Sequence, residues 1–156
     1  MFGKRVSEYL AFEKVWLFLI AAVGLLRLWV SLAGLPDRTA AWFSMNVVVW
    51  AGCLYYGAAV HTRGFGSYRQ LLPLMIFAML TMQSIAVLGI LLSIAGLPNV
   101  FTAPEFSFGV QSQWVHLLAH LTIGMVAPVL LWWGVGSLVL LITKRVARRP
   151  AVAAKA

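Results

Sequence analysis

The sequence predicts an all-α integral membrane protein, a four-transmembrane-helix bundle that reads as two tandem helical hairpins with both termini cytoplasmic. Three observations predict it. The 156 residues are 62% hydrophobic and only 10% charged, where a soluble domain carries about 25% charged residues. The apolar residues collect in four runs, each able to supply the roughly 20 residues that cross about 30 Å of hydrocarbon. The net charge of +8 sits mostly in alternate connections between those runs, as membrane topology requires.

The first span covers about 15–35, "VWLFLIAAVGLLRLWVSLAGL", interrupted only by Arg27. Its apolar run is too long for a signal peptide and no A-x-A-like site ends it, so it is expected to be retained. The second span, about 39–60, contains no charge. The third, about 71–97, carries Pro73 in its first turn, where a missing N–H costs little. The fourth covers about 118–143. All four are too evenly apolar to be amphipathic surface helices. They make one membrane domain over 1–150, followed by a short tail at 151–156.

The basic residues set the orientation. Lys4, Arg5 and Lys14 precede the first span, Arg63 and Arg69 lie in the second connection, and Lys144, Arg145, Arg148, Arg149 and Lys155 follow the fourth. The opposite side holds Arg38 alone. This asymmetry predicts a multi-pass protein of a bacterial-type inner (plasma) membrane, N-in and C-in, whose basic face attracts anionic lipids. Nucleic acid is not an expected partner, because the charges flank apolar runs and do not interleave with aromatics on a polar surface. Cys53, the single cysteine, excludes an internal disulfide or a cysteine-based metal site.

"SLAGLPD" at 31–37 returns as "SIAGLPN" at 93–99. Each ends a span on the same predicted side and precedes a span that returns. The chain therefore divides into two hairpins of equal orientation, about 1–68 and 69–150, a pattern that an axis along the membrane normal would relate. Gly-Leu-Pro is also an effective helix stop in its own right, so the repeat reads equally as duplication or as convergence. Gly52, Gly57, Gly89, Gly124 and Gly134 are positions where helices can approach closely. Little polar surface is available, which points to a homo-oligomer or a larger membrane complex.

Few polar residues need explaining. Arg27 lies about 20 Å beyond Lys14, at about 1.5 Å per residue, and an intramembrane charge faces the bundle interior and finds a partner. Asn46, Gln83, Asp37 and Glu105 are the candidates. Arg27, Asn46 and Gln83 together would form a ligand site or line a transport path. His116 and His120 stand one helical turn apart near the outer boundary, on a stripe that continues through Gly124 and Ala127. Such a pair chelates one metal, and Glu105 from the preceding loop would add a carboxylate. "HLLAH" lacks the general-base Glu of H-E-x-x-H. The residues leave the cofactor unknown: a divalent metal fits the His116, His120 and Glu105 set, whereas haem is disfavoured because His61 ends the second span on the other side. Interfacial histidines bonded to loop carbonyls are the simpler account. Met75, Met79 and Met82 read as packing residues.

No nucleophile–base pair, paired carboxylates or cysteine cluster is present, so catalysis has no support. The expected function is that of a non-catalytic structural or accessory subunit of a membrane complex. The alternatives are a metal- or ligand-binding module on the periplasmic face and a small oligomeric transporter with Arg27 in its path.

Overall fold

The computed structural model describes residues 1–104 and 112–148, and among them every regular element is a helix: α1 (Val6–Leu32), α2 (Asp37–Ala40), α3 (Met45–Thr62), α4 (Tyr68–Ile94), α5 (Gln113–Leu121) and α6 (Ile123–Arg148). α1, the segment Asp37–Thr62, α4 and the segment Gln113–Ala147 are long and apolar enough to cross a membrane.

Local chemistry sets the helix ends. α1 starts two turns earlier than its apolar run, where the Glu8 carboxylate accepts from the Arg5 backbone N–H at 2.7 Å and satisfies a donor at the helix start. α4 is preceded by its N-cap Ser67, whose N–H and hydroxyl both donate to Gln70 Oε1 at 2.9 and 3.1 Å. Gln70 Nε2 in turn donates to the Phe2 carbonyl at 2.8 Å, tying the N-terminus to α4. The second span does not run unbroken from 39: α2 ends in a turn through Trp42 and Phe43, and α3 begins after Ser44 in extended conformation. Nor is the fourth span one helix, since Thr122 (φ −116°, ψ −93°) separates α5 from α6.

The two copies of the Gly-Leu-Pro motif end their helices identically. Gly34 (φ 84°) and Gly96 (φ 95°) take the left-handed conformation that glycine adopts without a Cβ penalty. Gly34 N–H donates to Ser31 O at 3.0 Å and Leu35 N–H to Val30 O at 3.3 Å; Gly96 N–H donates to Ser93 O at 3.1 Å and Leu97 N–H to Leu92 O at 2.9 Å. Both are Schellman motifs, which satisfy carbonyls that a helix end otherwise leaves orphaned.

α1 and α6 each pack on α3 and α4, and α1 and α6 do not touch among the described residues. The order around the bundle is therefore α1, α3, α6, α4. The hairpin α1–α3 lies flat against the hairpin α4–α6, like helix beside like helix. A two-fold along the bundle axis would set α1 diagonally opposite α4, so the repeat is stacked side by side and not rotated about such an axis. α4 is the central element. Its buried Leu71, Leu74, Met75, Met79 and Ile90 share one core cluster with Tyr9 and Ile20 of α1, Val49 and Tyr56 of α3, and Trp132 of α6.

Between helices so evenly apolar, close approach and hydrogen bonds give the packing its specificity. Both occur between α3 and α6. A Cβ on Gly57 would lie 2.7 Å from Gly136 O, so the backbones pass within a glycine's reach. Nearby, Cys53 Sγ–H donates to Trp132 O at 3.1 Å. Gly134 is different: nothing lies within 4 Å of a Cβ there, so it faces outward and serves no close approach.

Candidate functional site

Two adjoining groups of polar residues lie toward the end of the bundle opposite the N-terminus. The first is built on the paired helix ends. Ser31 and Ser93 hold equivalent positions in the repeat and are both buried. Ser31 Oγ donates to Asp37 Oδ1 at 3.2 Å and accepts from Val100 N–H at 2.9 Å. Ser93 Oγ accepts from Thr102 Oγ1 at 2.8 Å and from Gln113 Nε2 at 3.1 Å. Asn99, standing where the first copy has Asp37, turns inward: Nδ2 donates to Gly89 O at 2.7 Å, and Oδ1 accepts from Phe101 N–H at 3.1 Å. The segment 97–104 is thus stitched to both hairpins. A cleft of about 350 Å³ opens between Ser31, Asp37, Asn99 and Thr102.

Arg27 lies under this lattice. Its guanidinium carbon sits 5.3 Å from the Phe101 ring centroid, a cation–π arrangement, and Asp37 attracts it electrostatically. Among the described residues expected as partners for Arg27, Asp37 is close enough to act on it electrostatically. Asn46 is exposed in the first turn of α3 and does not join this group. Glu105 lies outside the described residues.

The second group joins α4 to the break between α5 and α6. Gln83 is 3% exposed. Its Nε2 donates to Gly124 O at 2.6 Å and to His120 O at 3.3 Å, while Oε1 meets His120 Nδ1 at 2.7 Å. His120 Nε2 then faces His116 Nε2 at 3.2 Å. The sequence explains the first contact. Four residues after Gly124 stands Pro128, which has no N–H to give, so the Gly124 carbonyl loses its helical donor. Gln83 replaces that donor from a neighbouring helix, the compensation that lets a broken helix persist away from water.

The same contacts orient the whole chain of groups. Because the Gln83 amide nitrogen is committed to two carbonyls, Oε1 must be the acceptor, and His120 must carry its proton on Nδ1. Its Nε2 is then an acceptor, and His116 must donate from Nε2. The expected stripe His116–His120–Gly124–Ala127 is therefore interrupted: the break at Thr122 leaves Ala127 exposed, while His116 is buried.

Two residues were passed over in the sequence. Pro128 was legible, because a proline inside a helix orphans the carbonyl four residues before it. Glu13 was also legible, since Tyr9, Glu13, Trp16, Ile20 and Gly24 share one helical stripe and Tyr9, Ile20 and Gly24 are buried. Glu13 lies at the other end of the bundle, far from the histidines. Among the described residues no three His, Cys, Asp or Glu side chains converge on a common point.

Comparison with protein-family models, curated proteins and solved structures returns no match to this chain.

Proposed function

We propose that this chain is a non-catalytic, multi-pass protein of a bacterial-type inner membrane, N-in and C-in, serving as a structural or accessory subunit of a larger assembly. One observation carries the reading: the polar side chains that would mark a ligand site or a transport path are spent on the fold. Gln83 repairs the Pro128 break, His120 and His116 extend its hydrogen-bond chain, and Ser31, Ser93 and Asn99 fasten the segment 97–104. The outward faces support an assembly in lipid. Only 28% of the apolar window of α1 and 22% of that of α5–α6 is buried, which leaves two opposite faces for acyl chains, a second copy or partner helices. The basic end would lie against anionic headgroups.

A second reading, a metal-binding module, rests on the 3.2 Å between His116 Nε2 and His120 Nε2. Two nitrogens bound to one Zn²⁺ at about 2.0–2.1 Å in tetrahedral geometry stand about that far apart. Glu105 would be the third ligand. Elemental analysis and an absorption spectrum of detergent-purified protein, beside the His116→Ala/His120→Ala variant, separate the two. The accessory reading expects no stoichiometric metal in either protein. About one metal per chain, lost in the variant, would replace it with the metal reading.

Orientation is tested with Ser67→Cys and Ser107→Cys in intact cells, using a thiol reagent that does not cross the bilayer. The native Cys53 is buried and gives little background. Reaction at 107 and not at 67 is expected; the reverse overturns the N-in assignment.

A further inference from the structure

We infer that Glu13 is a proton-binding site: a carboxyl that holds its proton inside the bundle at neutral pH, near the end that carries the N-terminus. This goes beyond the accessory role and does not depend on it. Glu13 is 1% exposed, and its Oε2 is buried with no hydrogen-bond partner. An ionised carboxylate cannot be kept in such a place without a compensating charge or donors, whereas binding a proton removes the charge.

The groups packed round this part of α1 offer no compensation. On α1 itself, the Tyr9 hydroxyl donates to Met1 O at 3.0 Å, Glu8 is engaged by Lys4 at 3.4 Å and Arg5 at 3.9 Å, and Lys14 is exposed. From α3, Tyr56 interacts with Glu13 electrostatically, but its hydroxyl donates to Phe12 O at 3.4 Å. Arg63 is placed over the Tyr55 ring at 5.4 Å, and the Cys53 thiol donates to Trp132 O. From the connection between α3 and α4, Phe65 stacks on Phe12 at 3.9 Å and meets Tyr9 edge-on at 5.4 Å, with Lys4 over its ring at 4.6 Å. α4 contributes Phe77 against Tyr9. Asp37 and Arg38 of α2 lie beyond the far end of α1. Lys4 and Arg63 thus rest on aromatic rings, Lys4 and Arg5 reach Glu8, Lys14 and Arg69 are exposed, His61 is half-buried in the last turn of α3, and among the described residues no Lys, Arg or His forms an ion pair with Glu13. Among the described residues no group of three His, Cys, Asp or Glu side chains that could hold a metal ion includes Glu13. The proton is the cation that this site fits.

The chain contains four Asp and Glu residues in all, which makes an infrared test decisive. Wild-type protein in lipid at neutral pH should show the C=O stretch of a protonated carboxyl, shifted in D₂O because the proton exchanges, and absent from Glu13→Gln. Should Glu13→Gln fail to fold, wild type grown with carboxyl-¹³C glutamate must move the band, and Glu8→Gln and Glu105→Gln must retain it. A folded wild-type protein without the band at neutral pH overturns the proposal. So does a band that survives Glu13→Gln or does not respond to labelled glutamate.

Discussion

If Gln83 exists to repair the Pro128 break, its value must depend on the proline. Gln83→Met keeps side-chain length and volume but removes the amide. The Gly124 carbonyl then has neither its helical donor nor its replacement, at a partly buried position beside a Gln83 that is 3% exposed. An unsatisfied buried carbonyl costs about 1–3 kcal/mol, and the loss of the acceptor for His120 Nδ1–H adds to it. Single side-chain hydrogen bonds in membrane bundles average only about 0.6 kcal/mol, so about 2 kcal/mol is expected for the whole substitution. Pro128→Ala restores a backbone N–H four residues after Gly124. In that background Gln83→Met should cost about 1 kcal/mol less. The assay is reversible unfolding in mixed micelles titrated with SDS, followed by far-UV circular dichroism, on wild type, both single variants and the double variant. Additivity within about 0.5 kcal/mol, the ordinary result for independent sites, would refute the repair argument and return Gln83 to the list of ligand-binding candidates.

Two further predictions concern packing and protonation. Gly57→Ala should destabilise by about 1–3 kcal/mol, the usual cost of overpacking, because its Cβ would meet Gly136 O at 2.7 Å and Val139 Cβ at 2.8 Å; Gly134→Ala meets nothing and should be neutral or stabilising by up to about 1 kcal/mol, and equal losses in the same unfolding assay would contradict the α3–α6 packing. Two-bond ¹H–¹⁵N correlation spectra at neutral pH should show His120 as the Nδ1–H tautomer and His116 with its proton on Nε2; an Nε2-protonated His120 breaks the derived hydrogen-bond order.

The sequence was most informative where solvent dictates the answer and least where one helix answers another. Four apolar runs and two Gly-Leu-Pro stops sufficed for four long helices and for two identical helix ends, because span length and the left-handed glycine are properties of the chain itself. How the hairpins stack was not legible: "SLAGLPD" and "SIAGLPN" are compatible with rotation or with side-by-side placement, and only the contacts of α1 with α4 and of α3 with α6 decide between them. The candidate site divides the same way. His116 and His120 were placed together correctly by their spacing, but the helix was carried straight through Thr122 and the stripe extended to Ala127. Arg27 needed a partner, and Asp37 was among those named; Asn46 shared its depth in the sequence but not its surroundings. Gln83 stood out as a polar residue in an apolar span, yet its role depends on a proline 45 positions away in the chain. Glu13 escaped notice because it borders a charged flank, where a carboxylate beside Lys14 looks solvated. Its stripe, with Tyr9, Ile20 and Gly24, says otherwise. A buried polar group in such a bundle can repair a backbone defect, as Gln83 does, meet another polar group, as Ser31 and Ser93 do, or shed its charge, and the last course is the one open to Glu13.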